Sequence, residues 1–376
     1  MEKSVIDQRN HCMNVGFVTN NFSSGGAQKM MAFVVRSLAP CADKIFLITT
    51  QQGNIYSFPD NVQQIYIGDL IKKGKGSFGK INELNNIAKK TREIVVRENI
   101  DILCAFGYYF TTVAVKAVKS TKCKVIGSER RAPQMISAFN QLMSKYAYKK
   151  CDKVVFQLQG ARDFYPNIPD NKTAVIPNPF LPSESSFDRN PERKKIIAMA
   201  AARLEQEKGF DIGIKAMKKI IEKYPDYKLR IYGDGDFEKL YGQLIDDLQI
   251  RPYIEYMGLS SHIIEDIHDV MVFLLPSRSE GIPNMLLESM AAGIPCVAAD
   301  CPPGGPRMLL ENDKNGLLVP VENVDATADA VCELIGNAEL RNSVAENATK
   351  VTERFKPEKI EEMWRQCFIT IMDGNN

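Results

Sequence analysis

Short apolar runs alternate with longer amphipathic stretches along most of the 376-residue chain. In the first half, the apolar runs predict strands at 13–20, 44–50, 62–68, 101–107, 123–129 and 152–159. The stretches between them carry apolar residues at helical spacing, for example at 79–99. Strands that alternate with helices in this way are typical of a parallel sheet with crossover helices.

A segment rich in proline and serine interrupts this pattern near the middle of the chain. Residues 173–195 contain four prolines and a polar run, a composition typical of an interdomain linker. The alternation then resumes, with further strands that include 270–277, 295–300 and 316–321. The sequence therefore predicts an α/β protein with two Rossmann-like, doubly wound parallel-sheet domains that face each other across a cleft.

The domain boundaries follow from the position of the linker. We expect the first domain to comprise residues 1–180 and the second to comprise residues 181–355. A last amphipathic helix, at 356–376, is expected to complete the first domain. Ligands of such sheets bind beyond the carboxyl ends of the strands, so the turns at those ends are where site residues are expected.

Charge is distributed unevenly along the chain. Residues 1–180 hold 25 Lys and Arg against 13 Asp and Glu, a net charge of +12, whereas the whole chain has a net charge of +2. This asymmetry suggests that the first half meets something anionic, such as nucleic acid, a membrane surface or a phosphorylated ligand. The best candidate for a membrane-facing patch is Lys72, Lys73, Lys75 and Lys80 with the amphipathic stretch 79–99, and a solvated surface is the alternative.

The cysteine content and the first residues favour a cytoplasmic protein. The nine cysteines are scattered and form no C-x-x-C motif, so neither a disulfide framework nor a zinc site is indicated. No segment has the roughly 20 apolar residues that a membrane span needs. The N-terminal residues carry charges where a signal peptide would place its apolar region.

A glycine-rich turn follows the first predicted strand. In "SSGGAQ" (23–28), Gly25 and Gly26 would let the backbone approach a ligand, and the helix N-terminus behind them offers N–H groups to an anion. A tight turn without a function is the alternative. The turn lacks G-x-G-x-x-G, and no acidic residue ends the next strand, which disfavours a nicotinamide cofactor site.

Two turns in the second half carry charged residues. Arg203 and Lys208, in "RLEQEKGFD", lie between a predicted strand and a helix, where two cations can hold a diphosphate. As an isolated pair they would be solvated surface charges. Asp234 and Asp236 have a spacing that can hold a divalent metal, but helix capping is the preferred interpretation, so no metal site is expected.

Two glutamates flank a proline turn in "EGIPNMLLESMAAGIP" (280–295). Pro283 suits the first turn of a helix, which is predicted over Asn284–Ala292 with its N-terminus facing the cleft. Glu280 then lies on the loop before this helix, and Glu288 lies about one turn inside it. Burying an unpaired charge is costly, so each carboxylate needs a ligand or a partner. A loop carboxylate and a satisfied core glutamate are the alternatives.

These features occur together in an order that resembles a known family. Arg203, Lys208, the Gly-Asp-Gly turn, "YMG" (256–258) and the E-x7-E spacing follow one another along the second half. Over essentially its whole length, the chain resembles the retaining glycosyltransferases of family 4, which have the GT-B fold. The similarity is most specific in "SRSEGIPNMLLESMAAGIPCVA". The segments "GSERRAP", "CDKVVFQLQGARDFYP" and "VIPNP" resemble the branch that builds capsular polysaccharide, exopolysaccharide and lipopolysaccharide.

The resemblance implies roles for the charged residues. Arg203 and Lys208 match the basic pair that holds the donor's diphosphate and stabilises the departing nucleotide. Glu280 matches the glutamate that contacts donor-sugar hydroxyls near the reacting carbon. Glu288 matches the glutamate that accepts hydrogen bonds from the ribose. The first domain would hold the acceptor, and the second would hold the nucleotide-sugar donor.

Further donor contacts are implied at backbone turns, and one position departs from the family pattern. The implied contacts are a phosphate-covering loop, turns beside the base and the helix N-terminus, at Gly25, Gly26, Gly233, Met257, Gly258, Asn284, Met285 and Leu286. Many members carry a histidine after the strand that ends at Glu129, and here Arg130 occupies that place. Glu129 and Arg130 are cleft-facing catalytic candidates; Arg130 could bind phosphate or sugar hydroxyls, or pair with Glu129.

The implied function is transfer of a hexosyl unit from a nucleotide diphosphate sugar, a UDP-sugar, to a growing, lipid-linked surface polysaccharide with retention of configuration. No cofactor or metal is expected, because the basic pair would neutralise the leaving group. The expected partners are the donor, the glycan acceptor and an anionic membrane surface on the inner face of the cell membrane, and not nucleic acid. Alternatives are a GT-B nucleotide-sugar epimerase and a non-catalytic nucleotide-sugar-binding subunit.

Overall fold

The computed structural model describes residues 13–23, 26–71, 76–130, 132–181 and 192–374. The chain divides into two compact units. Unit 1 comprises Met1–Asn178 and Glu358–Asn376, and unit 2 comprises Pro179–Pro357. Each unit is built on one parallel sheet.

The sheet of unit 1 has seven strands in the order β3-β2-β1-β4-β5-β6-β7. All neighbouring strands are parallel. The strands are β1 (Asn14–Thr19), β2 (Lys44–Thr49), β3 (Val62–Tyr66), β4 (Ile102–Phe106), β5 (Lys124–Glu129), β6 (Lys153–Phe156) and β7 (Thr173–Val175). The central strands are buried almost throughout, as expected of a parallel sheet that is covered on both faces.

Five helices connect these strands. They are α1 (Gly26–Leu38), α2 (Gly76–Arg97), α3 (Gly107–Ala117), α4 (Ala138–Lys149) and α5 (Gln159–Asp163). The N-terminus of α4 is capped by Ser137, whose Oγ accepts a hydrogen bond from Asn140 N at 3.4 Å. Helix α3 packs against both α2 and α4, so α4 has one face turned toward the rest of unit 1.

The sheet of unit 2 has six parallel strands in the order β10-β9-β8-β11-β12-β13. They are β8 (Lys194–Arg203), β9 (Lys228–Asp234), β10 (Ile254–Gly258), β11 (Val270–Leu275), β12 (Cys296–Ala299) and β13 (Leu317–Val319). Its helices are α6 (Phe210–Lys223), α7 (Gln243–Asp247), α8 (Ile263–Ile267), α9 (Asn284–Ala291), α10 (Gly305–Leu309), α11 (Val324–Gly336), α12 (Ala338–Thr349) and α13 (Val351–Arg354). The prediction of two Rossmann-like parallel-sheet domains is confirmed.

Two local predictions were wrong, and one predicted helix begins with a different hydrogen-bond pattern. Thr173–Val175 was assigned to the linker but forms β7, a three-residue edge strand on β6 that is too short to show an apolar pattern. The strand predicted to run to residue 159 ends at Phe156, and α5 begins at Gln159. The helix predicted after β9 opens with a π-helical turn at Glu238–Gly242 before α7.

The last helix, α14 (Pro357–Met372), packs into unit 1. Trp364 is fully buried there, and its ring stacks on Phe106 of β4 with centroids 5.9 Å apart. Arg365 Nε donates to Ser37 O of α1 at 2.8 Å. The helix therefore supplies part of the core of unit 1. Among the described helices, none combines the length and the apolar character needed to cross a membrane.

Replacing Trp364 tests this core contribution. We expect Trp364→Ala to lower the free energy of unfolding of unit 1 by about 3–5 kcal/mol, because it leaves a cavity beside Phe106. Trp364→Phe keeps an aromatic ring at the site and should cost less. Urea unfolding followed by far-ultraviolet circular dichroism measures both. Equal stability of Trp364→Ala and the wild type would contradict the assignment.

Candidate functional site

The strand order of unit 2 reverses between β8 and β11. From β8, the chain first builds outward to β9 and β10, and it then returns to add β11 on the other side. The carboxyl ends of parallel strands share one edge of the sheet, and ligands bind where the order reverses. Arg203 ends β8, and the loops that follow β8 and β11 carry Lys208 and Glu280.

Lys208 and Glu280 form an ion pair at this point. Lys208 Nζ donates to Glu280 Oε1 at 2.8 Å, although the two residues are 72 positions apart. Ser277 Oγ donates to the same oxygen at 2.9 Å. The side chains are 29% and 11% exposed, so the pair is largely shielded from water. The structure therefore brings together two of the predicted charged residues.

Gly209 allows the turn that carries Lys208 to lie against the loop that carries Glu280. Lys208 ends a single 3-10 turn, Gln206–Lys208, and Gly209 follows with φ +67°. A Cβ added at Gly209 would overlap the carbonyl oxygen of Pro276. Only glycine fits both the positive φ and this close backbone approach.

Arg278 ties the same two loops together. Its Nη1 and Nη2 donate to the two carboxylate oxygens of Asp211 at 2.8 and 2.9 Å, and it also bonds the carboxylate of Glu322. Its Nη1 donates to Gln206 O at 2.6 Å, and its backbone N–H donates to Glu207 O at 2.7 Å. We call Arg278, Asp211 and Glu322 the Arg278 clamp. The clamp fixes the turn that presents Lys208.

The electrostatics of the clamp favour its charged form. Partial burial alone would raise the pKa of Asp211, but the hydrogen bonds and the charge of Arg278 outweigh burial, so this pKa is lowered. The hydrogen bonds that Arg278 donates to Asp211 and Glu322 raise the pKa of Arg278. The sequence-based reasoning missed this clamp. The only local feature of the sequence that indicates the clamp is an arginine two residues before Glu280, in a loop of otherwise small and polar residues.

Helix α9 begins four residues after Glu280. Pro283 stands at its N-cap position, where no side chain caps the helix. The first intrahelical donor is Leu287 N, which bonds Pro283 O, so the N–H groups of Asn284, Met285 and Leu286 precede the helical hydrogen-bond pattern. The Leu286 side chain is fully buried, which leaves only its backbone to face a ligand.

Glu288 lies one turn inside α9, as predicted, and is half-buried. The loop before the helix is held from the other side, because Glu280 N donates to Pro302 O at 3.1 Å. A Cβ added at Gly305 would overlap the carbonyl oxygen of Gly281, so this loop also contacts the start of α10 directly. Glu280 is therefore positioned by backbone contacts on both sides.

The turns after β9 and β10 form a second part of the same edge. Gly233 has φ +154° and Gly258 has φ +71°, and the Met257 side chain is 50% exposed. Tyr256 stacks on Phe237 with centroids 4.5 Å apart and rings within 4° of parallel. The Tyr256 hydroxyl donates to Gly233 O at 2.9 Å. This stack, which the sequence did not indicate, holds the predicted glycine turn.

Arg203 and the two aspartates lie on this edge with more exposed side chains. Arg203 ends β8 opposite Asp234. Its side chain is 73% exposed, and Nε lies 3.2 Å from Glu205 Oε1. Asp236 Oδ1 accepts from Lys239 N at 3.2 Å, which is the capping contact preferred on sequence grounds.

The site residues predicted in unit 1 are Gly25, Gly26, Glu129 and Arg130, and the structure buries Glu129. Gly25 lies outside the described residues, and Gly26 is the exposed first residue of α1. Glu129 was predicted to face a ligand, but it is 2% exposed. Its Oε2 accepts from the hydroxyls of Tyr148 and Tyr165 at 3.0 and 3.2 Å. Glu129 is the last residue of β5, and its side chain turns into the core of unit 1.

Arg130 is half-buried between aromatic rings. Its guanidinium carbon lies 4.9 Å from the ring centroid of Phe106 and 5.3 Å from that of Trp364, and Nη1 donates to Asn178 Oδ1 at 3.3 Å. Burial lowers the pKa of Arg130 to about 10. Its backbone N–H donates to Glu129 Oε1 at 2.9 Å. The guanidinium therefore packs against the core that α14 completes.

Most of the predicted membrane-facing patch is not covered by the structure. Lys72, Lys73 and Lys75 lie outside the described residues, and Lys80 is exposed on α2. Residues 79–97 of the amphipathic stretch predicted at 79–99 lie in α2, which ends at Arg97.

The chain is similar to known glycosyltransferases. Residues 183–351 match the family model described as "Glycosyl transferases group 1". The matched region contains Arg203, Lys208, Glu280 and Glu288. The chain is 26% identical over 352 residues to an uncharacterized glycosyltransferase of Haemophilus influenzae, covering 93% of this chain and 98% of that one. It is 37% identical over 138 residues to WcaL of Escherichia coli, a glycosyltransferase named for colanic acid biosynthesis, covering 35% and 34% of the two chains.

Solved structures show the fold. Sucrose-phosphate synthase from Thermosynechococcus elongatus superposes with a TM-score of 0.79 at 15% identity, covering 96% of this chain and all of that chain. Anabaena Alr3699/HepE, solved in complex with UDP-glucose, superposes with a TM-score of 0.72 at 17% identity, covering 95% and 100%. Together with the two parallel-sheet domains, these neighbours show that the chain has the GT-B fold.

The clamp gives a pH-dependent prediction. We expect Arg278→Lys, which cannot make the two parallel bonds to Asp211, to lower the free energy of unfolding of unit 2 by about 1–2 kcal/mol at neutral pH. The pKa of Asp211 is lower in the folded state than in the unfolded chain. The charged carboxylate of Asp211 therefore stabilises the fold at pH values above its ordinary pKa of about 4, and this stabilisation is lost as the pH falls through the lower pKa of the folded state. The difference between variant and wild type should therefore shrink in acid.

Urea unfolding at neutral pH and at about pH 3 measures this difference. Lys314→Gln, which removes an exposed pair with Glu311, is the matched control and should have little effect at either pH. A loss in Arg278→Lys that is the same at both pH values would contradict a role for the Asp211 charge.

Proposed function

We propose that the chain is a retaining hexosyltransferase of family 4. It would transfer a sugar from a UDP-sugar to a growing, lipid-linked surface polysaccharide. The observation that carries the proposal is the Lys208–Glu280 pair at the point where the strand order of unit 2 reverses. The E. coli relative named for colanic acid biosynthesis and the UDP-glucose complex of HepE support this choice of acceptor and donor.

The basic residues suit a diphosphate. The exposed pair of Arg203 with Glu205 contributes little stability, so the guanidinium can exchange Glu205 for a phosphate oxygen. Lys208 can likewise turn its ammonium from Glu280 to the neighbouring phosphate. Both cations would then neutralise the charge that develops as the nucleotide departs. The free N–H groups at the start of α9 add further donors for the same anion.

The two glutamates would bind different parts of the donor. Both hydrogen bonds to Glu280 go to Oε1, and Oε2 would accept from a hydroxyl of the donor sugar near the reacting carbon. Glu288, one turn inside α9, would accept from the ribose hydroxyls. Met257, Gly258 and Gly233 would border the base on the turns after β10 and β9.

The reaction that we propose needs no base from the protein. The acceptor hydroxyl oxygen forms a bond to the anomeric carbon on the face from which the diphosphate oxygen leaves. The hydroxyl proton passes to an oxygen of the departing diphosphate, and UDP is released. Lys208 and Arg203 stabilise that diphosphate, and Glu280 orients the sugar. We also propose that no metal ion or other cofactor takes part, and that the chain works on the inner face of the cell membrane.

Release of UDP tests the function. Purified protein is incubated with UDP-glucose, UDP-galactose or their N-acetyl forms, with and without undecaprenyl-diphosphate-linked sugars. UDP release that requires the acceptor, with a lipid-linked product that retains the donor configuration, supports the proposal. Donor conversion without any acceptor would identify an epimerase. UDP-sugar binding without conversion of either kind would identify a non-catalytic binding subunit.

Substitutions of the two glutamates should have different kinetic and binding effects. We expect Glu280→Gln to lower kcat by about 100-fold while UDP still binds, because the sugar contact strengthens in the transition state. We expect Glu288→Gln to weaken UDP binding by about tenfold, because the ribose contact is made before and during reaction. Calorimetry with UDP and steady-state kinetics measure the two effects. Loss of UDP binding in Glu280→Gln but not in Glu288→Gln would reverse these roles.

Metal independence has its own test. Activity measured after treatment with EDTA should match that of untreated protein, because Lys208 and Arg203 supply the positive charge. Asp236→Asn should likewise leave turnover unchanged, since this side chain caps the turn after β9. Complete loss of activity in EDTA that manganese restores would instead assign a metal to Asp234 and Asp236.

A further inference from the structure

Helix α4 exposes large apolar side chains on one face. Phe139, Leu142 and Tyr146 are 66%, 67% and 56% exposed. Their spacing, three and then four residues, places them along one stripe of the helix. The opposite side of α4 buries Ser144, Ala147 and Tyr148 in unit 1. Contiguous apolar side chains on a surface mark an interaction site more often than scattered ones do.

Lysines border this stripe. Lys145, Lys149 and Lys150 are exposed, and residues 138–150 contain no acidic side chain. Two of the acidic residues that follow along the chain have basic partners, and the third, Asp163, accepts a hydrogen bond from Gln159 Nε2 at 2.7 Å. Asp152 lies 3.4 Å from Lys124, and Asp170 is paired with Arg162. The face is therefore both apolar and positively charged. We call Phe139, Leu142, Lys145, Tyr146, Lys149 and Lys150 the α4 face.

A groove runs beside the α4 face. It has a volume of about 260 Å³. Side chains of α4 form one wall, and the segment after α5 forms the other, with Tyr165, Pro166, Asn167 and Ile168. Lys145 lies over the ring of Phe164 at 5.0 Å, which holds its ammonium at the rim of the groove. The groove thus combines apolar walls with a basic rim.

We propose that the α4 face docks on an anionic lipid surface. Phe139 and Leu142 would enter the boundary between head groups and acyl chains, and the lysines would meet lipid phosphates. Tyr146 has the amphipathic ring that favours this boundary. A protein partner fits less well, because lysine is depleted in protein–protein interfaces. The net charge of +12 in residues 1–180 complements an anionic membrane.

This docking surface differs in position from the patch that the sequence suggested. Helix α2 carries Lys80 and Lys89, but it also carries Glu83 and Glu93, and Lys90 is paired with Glu93 at 2.8 Å. Among the side chains that the structure describes, the α4 face has more exposed large apolar surface than α2, and it has no acidic residue. The inference rests on unit 1 alone and does not require the chemistry proposed for unit 2.

Vesicle co-sedimentation of the full chain tests the proposal. The vesicles are phosphatidylcholine alone or phosphatidylcholine with phosphatidylglycerol. We expect binding only to the anionic vesicles, weakening as salt is raised. Replacing Lys145, Lys149 and Lys150 with Gln should weaken binding roughly fivefold per lysine. Replacing Phe139, Leu142 and Tyr146 with Gln should also reduce binding, and these exposed side chains can be changed without disturbing the core.

Matched variants on neighbouring helices are the control. Replacing the exposed Lys80, Lys89 and Lys119 with Gln removes the same charge, and replacing Ile81 and Val96 with Gln removes exposed apolar surface from α2. We expect these variants to retain at least most of the wild-type binding. If they lose binding while the α4 variants keep it, docking occurs through α2 and the proposal is wrong. Equal binding to neutral and anionic vesicles would also overturn it.

Phe139→Trp provides a direct reporter. Its emission should shift to shorter wavelength when anionic vesicles are added, whereas an unchanged spectrum would contradict insertion of α4. UDP binding should be the same in the α4 variants and the wild type. A failure of the proposed transferase activity would leave the vesicle result unaffected, so the two proposals can fail separately.

Discussion

The close approach of Gly209 to the Pro276 carbonyl determines where the charged groups of unit 2 lie. It brings the turn after β8 against the loop after β11, and Lys208 then reaches Glu280 across 72 residues of sequence. The strand order makes these loops neighbours, but backbone contact sets their separation. A larger residue at Gly209 would displace the ammonium from the carboxylate. The geometry of the site therefore depends on the absence of one side chain.

Two kinds of ionic contact surround this approach. Arg278 and Asp211 are mostly shielded from water and make two parallel hydrogen bonds, so they hold the loops in a defined geometry. Arg203 is largely exposed, and Lys208 carries its charge on a flexible stem. The clamp thus provides a fixed frame, and the other two cations can exchange partners at low cost. The proposed function, in which a diphosphate binds and is then released, would need both properties.

Local pattern was sufficient to predict most strands, the position of Lys208 and Glu280 between a strand and a helix, and the position of Glu288 inside α9. It failed where the outcome depends on distant segments. The Arg278 clamp and the stack of Tyr256 on Phe237 join elements whose separation only the folded sheet sets. Glu129 illustrates the same limit: a residue at a strand end can face either way, and here Tyr148 and Tyr165 draw the carboxylate inward. Strand β7 was too short for its pattern to be recognised.

The return of α14 to unit 1 has a consequence during synthesis. Trp364 leaves the ribosome after the whole of unit 2, yet its ring covers Phe106 and the guanidinium of Arg130. Until then, the apolar surface around Phe106 that Trp364 later covers remains exposed to solvent in the nascent first unit. Unit 2, whose strands and helices are contiguous in sequence, can complete its own core earlier. The order in which the two cores close would thus be the reverse of the order in which they begin to emerge, and the nascent first unit would be a substrate for chaperones.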